Sequence, residues 1–220
     1  MKIIVVSLFA IWCAFNPPAK PRVLIIGDSV SLGYYPFVKE TLKDKADVYH
    51  NAGNAEFAGN AQSSGYGTKK IKSWLGDEHW DVIVFNWGLW DIAYRNPAPT
   101  GPGVLDKKNG KLTTTPEQYK LHLEEIIAVL KRTGAKLVLI TTTYVPENEP
   151  GRFSADARKY NRIAKQLARK NGIIINDLYK PSIKIHNKFY LEKNNVHYVK
   201  EGYWELSTIV VHKLENMLHL

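Results

Sequence analysis

From about residue 21 onward, short apolar runs alternate with longer amphipathic stretches, the pattern of parallel strands joined by crossover helices. Val23-Leu24-Ile25-Ile26 offers no polar position for a solvated side, so it reads as a strand buried on both faces. Residues 81–85, 136–140 and 172–175 repeat that type, and residues 46–50 read as an edge strand. Helices are predicted over 31–45, 68–75, 116–133, 154–170 and 200–217. The third carries its own punctuation: Thr115 as N-cap, Pro116 at the first helical position, Gln118 at the capping-box position and Gly134 as the stop. Five strands with helices between them predict an α/β fold, a three-layer α/β/α sandwich around one five-stranded parallel sheet. In such sheets ligands sit beyond the carboxyl ends of the strands, so chemistry is to be sought in the loops after Ile26, His50, Phe85 and Ile140.

Two of those loops are long. Residues 87–115 are rich in Pro and Gly, and loops of that length in one domain are usually functional or mobile. Residues 51–67 contain a short tandem copy, Ala52-Gly53-Asn54-Ala55-Glu56-Phe57 followed by Ala58-Gly59-Asn60-Ala61-Gln62-Ser63, so Gly53 and Gly59 are equivalent candidates for any glycine role there. At the other extreme of polarity, residues 3–15 follow Met1-Lys2 as an uncharged apolar run that stops at Asn16-Pro17-Pro18. That run is too short to span about 30 Å of hydrocarbon as a helix. It reads as a secretory signal over residues 1–19 ahead of a domain over 20–220, placing the product outside the cell or in the periplasm with no membrane attachment after cleavage. Ile11 and Trp12 are too bulky before Cys13 for a lipoprotein site.

Composition narrows the rest. One Cys and seven His exclude a disulfide framework and a Cys-based zinc cluster, and no HExxH occurs. Neither a metal nor a cofactor is expected, since Walker and GxGxxG loops are also missing. The net charge of +9, from 30 Lys+Arg against 21 Asp+Glu, is scattered in runs no longer than pairs such as Lys69-Lys70. It is read as a solvated surface with some attraction for acidic polymers, not as a nucleic-acid footprint.

Gly27-Asp28-Ser29 directly follows the first buried strand and precedes a helix. A Ser at that junction presents its hydroxyl at the sheet edge close to helix N–H groups, which suits a nucleophile and a developing oxyanion. The candidate base is His197, in a loop running into the last helix. No GxSxG elbow is present, which separates the chain from α/β-hydrolases.

These residues, with Gly59-Asn60, Asn86-Trp87-Gly88-Leu89-Trp90-Asp91 and the stretch from His197 to Tyr203, give the chain a resemblance to the SGNH/GDSL hydrolase superfamily from about Arg22 to the C-terminus. The resemblance implies a flavodoxin-like sheet and a secreted esterase or acetylesterase. It implies Ser29 as nucleophile and His197 as general base, with the oxyanion held by the Ser29 N–H, a second-block Gly N–H and a third-block Asn amide. Asp28, Trp87 and Asp91 are then expected at the substrate. Two departures follow. Trp90 stands where the third-block Asn is expected, leaving the indole, Asn86 or Asn60 to supply the donor. Asn194 and Asn195 stand where an Asp usually orients the His, so a Ser–His dyad or a triad with an amide member is expected. Aromatic residues near the active edge (Tyr34, Tyr35, Trp87, Trp90, Tyr94, Tyr144 and Tyr198) suit stacking on sugar faces and favour a small-molecule or glycan ester, such as an acetylated carbohydrate. The alternative is a catalytically impaired, carbohydrate-binding relative.

Overall fold

The computed structural model of the chain describes residues 19–52, 59–98, 101 and 103–219. The expected signal over 1–19 falls, except for Ala19, outside the described residues, as does Gly53. In chain order the first half forms β1 (Arg22–Ile26), α1 (Ser29–Leu42), β2 (Asp47–His50), α2 (Ser64–Leu75) and β3 (Val82–Phe85). Three short strands follow, β4 (Tyr94–Asn96), β5 (Val104–Leu105) and β6 (Lys111–Leu112). The second half is α3 (Pro116–Lys131), β7 (Lys136–Ile140), α4 (Ser154–Lys170), β8 (Ile174–Asn176), α5 (Tyr179–Phe189) and α6 (Lys200–Leu218).

The main sheet is parallel throughout, in the order β2-β1-β3-β7-β8. Val23 sits opposite both Val48 and Val82, and Val84 opposite Val138, so apolar side chains stack across the centre. Val23, Leu24, Ile25 and Ile26 are each buried. Side chains of this kind contribute about 1.5–3 kcal/mol apiece when taken out of water, so the four together anchor the sheet. Helix α1 packs against α6, while α2 meets α3 and α3 meets α4, which covers both faces and gives the three-layer α/β/α sandwich. The strand order reverses at β1, and the crevice that this reversal opens lies at the carboxyl ends of β1 and β3.

Where the structure departs from the sequence pattern, local chemistry explains it. Helix α1 starts at Ser29 rather than 31 because Asp28 caps it, accepting the Val30 N–H at 3.0 Å. Helix α2 starts at Ser64 rather than 68 because Ser63 caps it, and Gly65 and Gly67 in its first turns had diluted the helical pattern. Helix α5, which carries Pro181 in its first turn, was not among the predicted helices. Strands β4 to β6 form a small antiparallel sheet, order β5-β4-β6, inside the long 87–115 loop. The capping box at Thr115 and Gln118 forms as expected.

The α1–α6 contact needs Gly33. A β-carbon there would overlap the Tyr203 ring, so the two helices approach at van der Waals distance only because that atom is missing. Replacing Gly by Ala inside a helix gains about 1 kcal/mol of propensity, but overpacking a filled core costs about 1–3 kcal/mol and prevails here. Gly33→Ala is therefore expected to lower stability by up to about 2 kcal/mol net, read as a smaller urea midpoint with an unchanged slope; equal or greater stability would show that the helices can separate freely.

Candidate active site

Ser29 owes its position to three local bonds. The chain leaves β1 at Ile26, and the Gly27 N–H donates to Asn51 Oδ1 at 3.1 Å while the Gly27 carbonyl accepts from the Ala61 N–H at 2.8 Å. Asp28 then turns the chain into α1. Ser29 becomes the first helical residue, half-buried, where unpartnered N–H groups and the positive end of the helix dipole gather.

His197 arrives from the opposite end of the sequence, in a loop between α5 and α6. An antiparallel bridge between Tyr190 and Tyr198 closes that loop, and the Leu191 N–H donates to the His197 carbonyl at 3.0 Å. Inside it, Asn195 Oδ1 accepts two hydrogen bonds: from the His197 backbone N–H at 3.0 Å and from His197 Nδ1 at 2.6 Å. The backbone donor has no alternative role, so it fixes which end of the amide faces the ring. The oxygen faces Nδ1, the proton sits on Nδ1, and Nε2 is left with its lone pair. That lone pair points at Ser29 Oγ, 2.8 Å away. Of the two Asn residues expected to orient the ring, Asn195 is in place and Asn194 is not: Asn194 is exposed at the rim of the cleft. His186, buried in α5, holds the same loop from behind, donating Nε2–H to the Asn195 carbonyl at 2.7 Å.

Three Ser–His contacts occur among the described residues, and only Ser29–His197 lines the open cleft. Ser31 meets His50 at 2.8 Å and Ser64 meets His122 at 3.0 Å. Both serines are buried, at 2% and 0% exposure. Both hydroxyls also have a second acceptor, the Asp28 carbonyl for Ser31 and Asp91 Oδ1 for Ser64. Burial pushes His50 down to about 4, which keeps it neutral. Ser29 and His197 instead line an open cleft of about 480 Å³. Burial, and then the charge of Arg152, pull the His197 imidazole below its ordinary value of 6.5.

The other expected site residues divide. Trp90 lines the cleft, with the Arg95 guanidinium 4.8 Å above its ring. Gly59 takes φ +74°, and a β-carbon there would lie 2.9 Å from the Asn51 carbonyl, so only glycine fits. Asn60 beside it turns Oδ1 onto the Gln62 N–H, and Ala61 joins this loop to the Gly27 turn. Asn86 is buried and gives one Nδ2 proton to the Ile140 carbonyl, which leaves its second N–H. Asp28, Trp87 and Asp91 are not brought to the substrate cleft. Asp28 is spent as the α1 cap, and Trp87 is 1% exposed with its indole donating to the Ala61 carbonyl. Asp91 is fully buried against the start of α2, accepting from the Ser64 N–H and Oγ, and burial raises its carboxyl to about 6. Tyr34 and Tyr198, expected at the rim, belong to the core.

Several cleft residues carried no sequence signal. Arg152 is buried, pairing with Glu149 at 2.6 Å and donating Nε–H to the Leu89 carbonyl at 2.6 Å. Arg95 comes from the Pro- and Gly-rich loop, on β4. His186 could be told from other histidines only by its place on an unexpected helix. Among the described residues, no three His, Cys, Asp or Glu side chains converge as a metal site.

The sequence matches the model of the GDSL-like Lipase/Acylhydrolase family over residues 25–204. No curated protein matches it. Among solved structures it is similar to the acetyl xylan esterase AlAXEase (18% identity, TM-score 0.68, covering 88% of this chain and 99% of that one). It is also similar to a lipase/acylhydrolase from Enterococcus faecalis (19%, 0.68, 90% and 96%). A third is a catalytic mutant of an acetylxylan esterase from Geobacillus stearothermophilus (15%, 0.66, 88% and 94%). At such identities these likenesses establish a shared fold.

The loop geometry generates a prediction about His186. Removing one buried hydrogen bond costs about 1–3 kcal/mol, so His186→Ala is expected to speed amide exchange at Leu191 and His197 about 10–100-fold while amides of β1 keep their protection. Unchanged exchange at His197 would show that the loop is held without His186.

Proposed function

The chain belongs to the GDSL-like lipase/acylhydrolase family and is a carboxylic ester hydrolase; from that premise we propose that it removes a short acyl group, an acetyl, from a carbohydrate through an acyl-enzyme on Ser29. In this mechanism Ser29 Oγ attacks the ester carbonyl carbon as its proton passes to His197 Nε2. The oxyanion that forms sits at the N-terminal end of α1, where the Ser29 N–H and the second-block loop at Gly59 supply donors and the helix dipole favours negative charge. As the intermediate collapses, His197 returns the proton to the leaving sugar hydroxyl. Water, deprotonated by the same Nε2, then attacks the acyl-Ser29 carbonyl and releases acetate and free Ser29. The observation that carries this reading is the 2.8 Å Ser29–His197 contact, in the tautomer that Asn195 imposes.

The substrate class rests on the cleft. Asn148, Glu192 and Asn194 share its walls with Leu89, Trp90, Leu105, Pro150 and Val196, a mixed lining that suits a small acyl group on a hydroxyl-rich alcohol. Two of the similar structures are acetyl xylan esterases, which supports the same class. The apolar run at 3–15 supports export and hence a substrate outside the cytoplasm. Asn195 favours a second reading, a carbohydrate-binding protein without turnover, because an amide cannot neutralise an imidazolium.

Covalent labelling separates the two. A fluorophosphonate is expected to modify Ser29 and no other hydroxyl, and Ser29→Ala to lose 4-nitrophenyl acetate hydrolysis while keeping its fold. Glycan binding with an unlabelled Ser29 would establish the second reading instead.

The amide makes a further expectation sharp. The base works only when neutral, and its proton affinity is lowered, so the acid limb of the kcat/KM profile should fall below pH 6.5. Asn195→Asp adds the carboxylate that stabilises the imidazolium. It is expected to move that limb to higher pH and raise kcat about tenfold or more, the reverse of the roughly 10⁴ loss when Asp becomes Asn in a serine triad. A lower kcat in a folded Asn195→Asp variant would show that the amide is required.

A further inference from the structure

We propose that the edge of the molecule at β8, flanked by cationic stripes on α4 and α5, binds an acidic polysaccharide and holds it beside the cleft. The choice of a glycan rests on the hydrolase reading above. The surface itself rests on charge, and the charge imbalance of the protein is concentrated there. Residues 154–190 hold nine of the 30 Lys and Arg but only two of the 21 Asp and Glu, which accounts for +7 of the net +9. The remaining residues are nearly balanced.

Strand β8 is the outer strand of the main sheet. Helix α4 covers it from the α2–α3 layer, and α5, packed on α6, begins three residues after it ends. On α4, Arg158, Arg162 and Arg169 are exposed, and with Lys165 they take the i, i+4, i+7 and i+11 positions of one helical stripe, about 17 Å long. Two contacts turn that stripe toward β8 and α5: Arg158 Nη1 donates to the Tyr179 hydroxyl at 3.5 Å, and Lys165 pairs with Asp177 at 3.0 Å. On α5, Lys180, Lys184 and Lys188 form a second exposed stripe at i, i+4 and i+8, about 12 Å long. Helix α5 then runs into the loop that carries His197, where Glu192 and Asn194 line the cleft. The second stripe therefore leads to the rim of the site.

Like charges four apart on a helix repel, and both stripes stack them without relief. Of the two acids in the segment, Asp177 is engaged by Lys165 and Asp156 accepts from the Tyr94 hydroxyl at 3.3 Å. None of the six exposed cations forms an ion pair among the described residues, and Glu147 acts on Arg158 only from beyond ion-pair distance. Such repulsion is relieved when an anionic polymer lies across the cations. A polyuronate, with a carboxylate on every sugar, supplies anions in series as the stripes supply cations. A membrane surface would instead call for large apolar side chains among the cations, and no exposed one lies on α4 or α5.

The test measures binding to polygalacturonate and to its uncharged counterpart, galactan. The wild type is expected to bind the acid at low salt, to release it as salt is added, and to hold galactan at least about tenfold more weakly. Removing three charges from either stripe, in Arg158→Gln/Arg162→Gln/Arg169→Gln or Lys180→Gln/Lys184→Gln/Lys188→Gln, should weaken binding about tenfold. Removing three exposed charges from α2, in Lys69→Gln/Lys70→Gln/Lys72→Gln, should leave it within about twofold. Equal weakening in the α2 variant would reduce the effect to net charge and overturn the proposal, as would galactan bound as tightly as the acid or no binding at low salt. Tighter binding to double-stranded DNA or to phosphatidylglycerol vesicles at the same salt would overturn the assignment to a glycan. If a triple variant does not fold, Arg162→Gln and Lys184→Gln decide singly, each weakening binding about twofold where Lys70→Gln does not. Neither polymer carries an acetyl group, so binding is read apart from turnover. Hydrolysis of 4-nitrophenyl acetate without polygalacturonate binding would remove the surface and leave the esterase; binding without any ester hydrolysis would remove the esterase and leave the surface.

Discussion

The site depends on one oxygen accepting two protons. Asn195 Oδ1 takes the His197 backbone N–H and the ring Nδ1–H together, and the first of these makes the second unambiguous. An isolated amide beside an imidazole can present either end, and the wrong end would place the ring proton on Nε2, where it would block rather than accept the Ser29 proton. With the backbone as a fixed donor, the amide reproduces the orienting half of a carboxylate's work. It does not reproduce the other half, because it brings no charge to meet the imidazolium. Orientation and charge stabilisation, joined in an Asp, are separated in this chain.

That oxygen is useful only if its loop stays still, and the fold is arranged to hold it. Ser29 and His197 are 168 residues apart, so their meeting relies on the sheet and the helices to fix both ends. Ser29 is set by a cap and two bonds to neighbouring loops at the reversal point of the strand order. His197 is set by the Tyr190–Tyr198 bridge, by buried Val196 and by His186 beneath the Asn195 carbonyl. Gly33 lets α6, which begins just after His197, come close to α1, which begins at Ser29. Core packing and site geometry are therefore the same contact seen at two distances.

This division explains what could be read from the residues alone. The sheet was legible because Val23–Ile26 and its counterparts are unbroken apolar runs, and such runs fit only a covered parallel strand. Ser29 and His197 were legible as a pair because each sits where strand or loop meets helix. Trp87 and Asp91 were misplaced for a physical reason: their motif is adjacent to the site in sequence, but the chain turns after β3 and directs them into the α2–α3 layer. The choice between Asn194 and Asn195 could not be made from type or spacing, since one residue's rotation about the loop separates the ring from solvent. Arg95 and Arg152 belong to no motif; they reach the cleft through the antiparallel excursion of β4 to β6 and the turn before α4, which hydrophobic periodicity does not register.

Charge is the element that the protein leaves open. Among the groups around the base, Asn195 is neutral, and Arg152, whose charge disfavours the imidazolium, is paired with Glu149. Desolvation raises the pKa of Asp28, the buried carboxyl nearest in sequence to Ser29, against the hydrogen bonds it accepts as the α1 cap. Burial and Arg152 disfavour a cationic imidazole, and the Asn195 amide brings no charge to offset them. In a hydrolase the imidazolium exists only while substrate is bound, so the negative charge is needed at that stage and no earlier. A site that orients the ring through an amide and surrounds it with burial and Arg152 holds His197 neutral and ready to accept a proton at rest.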